Sequence, residues 1–115
     1  MPEPAPLDPE DAKLVALARA ARTRTGALAG AAVRDDTGRT YVAVSVDLPS
    51  LRLTAVQLAV AMSRSSGAGR LEAAVLVSPV PAPDPADLAV LHDVTAGFPL
   101  HVTDPDGLPH RSQPE

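Results

Sequence analysis

The stretch from Gly30 to Val46 constrains this chain most. Two β-rich runs, Gly30 to Arg34 and Arg39 to Val46, flank Asp35-Asp36-Thr37-Gly38, and residues of that chemistry between two extended segments make a hairpin turn. Ahead of the hairpin, Asp8 followed by Pro9, Glu10 and Asp11 reads as an N-cap, a proline at the first helical position and acids in the first turn. Leu14, Val15, Leu17, Ala18 and Ala21 form the apolar stripe of that helix, Arg19, Arg22 and Arg24 complement its C-terminal end, and Gly26 caps it. After the hairpin, Leu48 to Leu51 reads as a bend, Ser50 as a cap, and Arg52 to Ser66 as a second helix closed by Gly67. Leu71 to Val77 is a buried strand. A proline-heavy loop from Ser78 to Pro85 leads to a third helix, Pro85 to Ala96, capped by Asp84 and ended by Gly97. Pro99 to Thr103 supplies a last strand, and Asp104 to Gly107 a turn. A hairpin followed by αβ units predicts the α/β class, as a three-layer α-β-α sandwich around one mixed four-stranded sheet. The domain is expected over residues 8–107, between disordered tails at 1–7 and 108–115.

The material for that core is meagre. Hydrophobic residues make up 45% of the sequence, with no Ile and no Trp. Alanine buries little area, so layers built from Ala, Val and Leu are expected to be thin. Only Lys13 of the ten basic residues is a lysine. With the abundance of Ala and Pro, this looks like the codon bias of a GC-rich, bacterial genome. A net charge of -4 and an aromatic content of 2% argue against general nucleic-acid binding, whether by phosphate attraction or by base stacking. No apolar run reaches the roughly 18 residues of a membrane span and no leader opens the chain, so a cytoplasmic location is expected. Cysteine is absent, which excludes a disulfide framework.

Several segments, in order, carry a resemblance. They are the first helix, Gly30-Ala31-Ala32-Val33, the turn ending Thr37-Gly38-Arg39, the strand end Ser45-Val46-Asp47, and the second helix through Gly67. Over about Asp11 to Gly107 the chain resembles the cytidine deaminase family, in which a Val-Gly-Ala-Ala segment, an Asp-Gly-Lys-like turn and an Asn-x-Glu strand end occur in that order. The resemblance implies a zinc ion that activates water, a glutamate that moves the proton, and cysteine ligands in Cys-Ala-Glu and Pro-Cys-x-x-Cys motifs. This sequence departs from every one of them. Thr54-Ala55-Val56-Gln57 stands where Cys-Ala-Glu-Arg is expected, so a ligand becomes a hydroxyl and the proton shuttle becomes aliphatic. The loop from Ser78 to Asp87 offers prolines, Asp84 and Asp87 in place of thiolates. Ser45 replaces an amide, Asp47 is a shorter carboxylate, and Ala27 and Leu28 fill a region where the family often stacks an aromatic ring.

The remaining constellations are weaker. His92, His101 and His110 are too far apart to pair on one helix face as zinc ligands. Asp47, Asp84 and Asp87 could meet at helix N-termini and work with His92 as acid and base, or could be caps and solvated groups. The leading expectation is a catalytically inactive cytidine deaminase-like protein, without metal or cofactor, that acts as a structural or protein-interaction module. The alternative is a nucleoside or small-ligand binding protein that uses the vestigial pocket, with Ser45, Asp47, Thr54, Val56, Asp84 and Asp87 as its candidate residues. Leu53, Val56 and Val60 cluster on one side of the second helix, while Leu58 and Met62 fall opposite, so that helix should be buried all round. A homo-oligomer, dimer or tetramer, is therefore expected through Leu53, Val56, Leu58 and Met62, with any other protein partner unidentified.

Overall fold

The first helix, α1, spans Pro9–Thr25 and has the caps its sequence asks for. The Asp8 carboxylate accepts the Glu10 N–H at 2.9 Å, and Gly26 turns left-handed at φ 70° so that its N–H reaches the Arg22 carbonyl. Leu14, Val15, Ala18 and Ala21 form the buried stripe. The computed structural model describes residues 7–97 and 99–110. Of the tails expected at 1–7 and 108–115, residues 1–6 and 111–115 lie outside the described residues.

Strands β1 (Gly30–Asp35) and β2 (Thr40–Val44) form the expected hairpin, antiparallel from Gly30↔Val44 to Arg34↔Thr40. Its turn is fastened from inside. One carboxylate oxygen of Asp35 accepts the Thr37 N–H, the Thr37 hydroxyl and the Arg39 N–H, and the other accepts the Tyr41 hydroxyl at 2.9 Å. The Thr37 hydroxyl, the Tyr41 hydroxyl and the turn N–H groups together hold the Asp35 carboxyl down at about 2, against the opposing effect of desolvation. Its ordinary value is 3.8. A carboxyl depressed by folding stabilises fully above the unfolded value and loses that contribution as pH falls through the folded one. Urea melts of the parent and of Asp35→Asn are therefore expected to converge as pH drops from about 4 to about 2, and a difference constant over that window would contradict this role for Asp35.

The chain then departs from expectation. The strand predicted to run to Val46 ends at Val44, and Ser45 donates its N–H to Ala29 instead. Where a bend and a helix start were expected, a second hairpin forms from β3 (Val46–Leu48) and β4 (Leu51–Leu53), with Pro49 and Ser50 at its tip. Ser50 is thus a turn residue. Helix α2 begins three residues later than expected and spans Ala55–Ser65, capped by Thr54. Strand β5 (Leu71–Val77) follows as predicted, and helix α3 (Pro85–Val94) stops two residues short of Ala96. Strand β6 covers Leu100–Thr103.

These elements build one mixed four-stranded sheet in the order β2-β1-β5-β6, antiparallel except where β5 meets β6. Side chains alternate across it as strand geometry requires. Ala32, Ala73, Val75 and Val77 face Leu14, Val15 and Ala18 of α1. Ala31, Val33, Tyr41, Ala43, Ala74 and Leu76 face Ala55, Val56, Ala59 and Val60 of α2 and Leu91 of α3. Helices cover both faces, which is the α-β-α sandwich expected. Helix α1 comes close to the sheet at Gly30. A Cβ placed there would lie 2.4 Å from the Ala18 carbonyl oxygen. Beside this contact, Arg22 Nε donates to the Leu28 carbonyl at 2.9 Å, tying the end of α1 to the entry of β1. At the other end of the sequence, Leu108–His110 turn back along β6 rather than leaving it. Pro109 bridges to Thr103, His110 N–H reaches Val102 O, and His110 Nε2 lies 2.8 Å from Ser78 O.

Candidate functional site

The N-termini of α2 and α3 come together beyond one end of the sheet, and the polar side chains there spend themselves on one another. Thr54 and Gln57 form a reciprocal capping box, Gln57 N–H donating to Thr54 Oγ1 at 3.0 Å and Thr54 N–H to Gln57 Oε1 at 2.9 Å. The Thr54 hydroxyl then donates its proton to Asp87 Oδ1 at 2.5 Å. Asp87 is 2% exposed, in the first turn of α3. Burial pushes its carboxyl above the ordinary value, while hydrogen bonds from Thr54 and from the Asp84 backbone pull the other way. Asp84 caps α3 by accepting the Ala86 N–H at 2.9 Å.

Of the six pocket residues read from the sequence, Thr54, Asp84 and Asp87 are thus brought together. The other three are not. Val56 is completely buried between α2 and the sheet, so it lines no pocket and presents nothing to a partner. Ser45 is half-buried at the end of β2. Asp47 stands exposed on β3 and pairs with Arg52 of β4 at 3.1 Å, across the Asp47↔Arg52 register. His92 is exposed in the last turn of α3. It lies five residues after Asp87, which at about 100° per residue points it roughly 140° away around the helix. The acid-base pairing of His92 with Asp87 is therefore not formed. Two shallow clefts, each of about 450 Å³, lie at the opposite end of the sheet. One runs from Asp36 to Gly97 past Arg70 and Glu72, and the other lies around Asp35, Arg39 and Tyr41 beside the end of α2.

A second polar cluster escaped the sequence reading. Arg34 of β1 donates Nε to Glu72 of β5 at 2.6 Å and a terminal nitrogen to Asp11 of α1 at 3.0 Å. His101 of β6 approaches the other Asp11 oxygen at 3.6 Å. The hydrogen bond to Glu72 raises the Arg34 guanidinium most, with Asp11 adding to it against desolvation. Four elements meet in this network. No local pattern announces it, because its partners lie 23 and 38 residues from Arg34.

The arrangement of sheet and helices is shared with known proteins. The model of the cytidine deaminase-like family matches residues 7–107. This chain belongs to that family. Among solved structures, a cytidine deaminase from Burkholderia pseudomallei superposes with a TM-score of 0.74 at 22% identity, over 85% of this chain and 87% of that one. At that identity the likeness speaks for the fold. A cytidine deaminase from Mycobacterium tuberculosis is similar at 28% identity and a TM-score of 0.66, over 86% and 87% of the two chains. One from Mycobacterium leprae is similar at 26% and 0.63, over 83% and 87%. Comparison with curated proteins gives no match.

The zinc ion implied by the family resemblance does not suit the side chains present. Zinc takes Cys, His, Asp or Glu donors, four in a structural site and three in a catalytic one. Among the described residues no group of three such side chains lies close enough together to hold a metal. At the junction of α2 and α3, Asp84 is occupied as a cap and the Thr54 hydroxyl both accepts from Gln57 and donates to Asp87.

Proposed function

We propose that this protein is a catalytically inactive cytidine deaminase-like module that acts structurally or by binding another protein, rather than by turnover. The observation that carries the reading is the pairing of Thr54 with Asp87 above a wholly buried Val56. Val56 stands where the resemblance puts the glutamate that moves the proton, and a hydrocarbon side chain cannot do that work. Cytidine and deoxycytidine incubated with the purified protein are expected to remain unchanged, whether or not zinc chloride is added. Turnover above a protein-free control, together with stoichiometric zinc by elemental analysis, would overturn the proposal.

Self-association fits the same reading. On α2 the sheet-facing residues are buried, Leu58 is half-buried against the same core, and Met62 is 38% exposed. The β3–β4 hairpin adds Leu48 and Leu51, both exposed, beside a half-buried Leu53. Exposed apolar side chains on α2 and on the adjoining hairpin are material for an interface. A dimer or tetramer through Leu53, Leu58 and Met62, with Val56 supporting them from beneath, is expected by light scattering on a sizing column. Met62→Asp should shift the protein to monomer with its fold intact, since a charge buried unpaired in an interface costs about 3 kcal/mol or more. A parent protein that is monomeric at tens of micromolar would defeat the oligomer.

The nucleoside-binding alternative is less well supported, because Thr54 and Asp87 already satisfy each other and the clefts described lie at the far end. A cytoplasmic setting is in keeping with the proposal. No described helix is long and apolar enough to cross a membrane.

A further inference from the structure

Helices α2 and α3 are contributed by stretches of chain 33 residues apart at their point of contact. Among the described residues, the Thr54–Asp87 hydrogen bond is the one side-chain hydrogen bond that joins them. We infer that this bond is a metal-free fastener, holding the two helix N-termini directly to each other between the same two segments where the family resemblance would place an ion. Asp87 is 2% exposed, and a carboxyl so deeply buried has to be met by donors from the protein. The Thr54 hydroxyl is its side-chain donor, and the capping box fixes the position of that hydroxyl. The approach to α3 is stiffened by Pro79, Pro81, Pro83 and Pro85, so little chain entropy remains to be lost when Asp87 docks. The link is made of Thr54, already committed as the α2 cap, and Asp87 in the first turn of α3, so both partners are placed by their own helices.

The inference rests on the proposed reading in taking the junction to be free of metal, and its test is kept separate from oligomer size and activity. Full-length protein is melted as parent, Thr54→Val, Asp87→Ala and the double variant, each with and without EDTA and with added zinc chloride. Thr54→Val removes both the α2 cap and the fastener in the parent but only the cap when Asp87 is already alanine. We expect it to lower Tm by roughly 10 °C in the parent background and by about half as much in the Asp87→Ala background. Chelator and zinc should each move Tm by less than about 1 °C, since a metal bound only by the native state raises apparent stability. If Thr54→Val does not fold, Thr54→Gly serves in its place, because glycine is a tolerable cap without a hydroxyl. Equal losses in both backgrounds, or a Tm that falls with EDTA and recovers with zinc, would overturn the fastener. Turnover of cytidine with unequal losses and no response to EDTA or zinc would sink the proposed function and leave the fastener standing.

Discussion

Gly30→Ala is expected to lower Tm by roughly 10–20 °C or to abolish soluble expression, a cost of about 3 kcal/mol or more. The sign is informative, because conformational preference argues the other way. Gly30 sits in a strand with no positive φ, where alanine should gain roughly 0.5–1 kcal/mol over glycine. The added Cβ would however lie 2.4 Å from the Ala18 carbonyl oxygen and 3.2 Å from its carbon. Both are backbone atoms, so no rotamer change can relieve the contact. Helix α1 would have to lift from the sheet, carrying Leu14 and Val15 with it. Gly26→Ala makes the useful comparison, since its φ of 70° brings strain but nothing lies within 4 Å. That change should cost only about 1 kcal/mol. A Gly30→Ala protein as stable as the parent would mean that α1 does not seat on β1 as described.

Leu14→Ala should come next in size, at about 3–5 kcal/mol, the upper part of the range for a buried leucine. The cost of such a cavity depends on how far the neighbours can collapse. Leu14 is 1% exposed, and its layer otherwise consists of Val15, Ala18, Ala32, Ala73, Val75 and Val77, with Leu7 and Val42 at its margin. Alanines and β-branched valines have no long side chain to swing into the gap. The urea midpoint should fall sharply with an unchanged slope, the sign of lost stability without an altered unfolded state. A loss below about 1.5 kcal/mol would show that the α1 layer closes over the missing atoms.

The features that could be read from the sequence are those decided within a few residues. Asp8, Pro9 and Gly26 bound α1, and the Asp35 to Gly38 turn pairs β1 with β2, because caps and turns are local chemistry. The start of α2 was misread for an equally physical reason. Leu53, Val56 and Val60 satisfy a helical spacing, while Leu51-Arg52-Leu53 also alternates as a strand, and short apolar runs do not separate the two. The deciding signal was present in Thr54 and Gln57, spaced as a capping box. The candidate site was legible as a list of residues but not as a geometry. Nothing near Thr54 in sequence indicates that its hydroxyl is met by Asp87, and nothing near Arg34 indicates Asp11 or Glu72.

Strand β5 has a consequence for how the protein survives its own synthesis. Its seven residues carry one charge, Glu72, and no proline, the composition of a segment that pairs readily with copies of itself when exposed. In the native sheet both its edges are occupied, by β1 and β6, and both its faces are covered. Full protection of β5 needs β6 as well as the earlier hairpin, and β6 follows it in the chain. Arg70 and Pro79 at its flanks act as gatekeepers during that interval. Variants that slow the docking of α1 or β6 should accordingly lose soluble yield by aggregation before they show a matching loss in melting temperature.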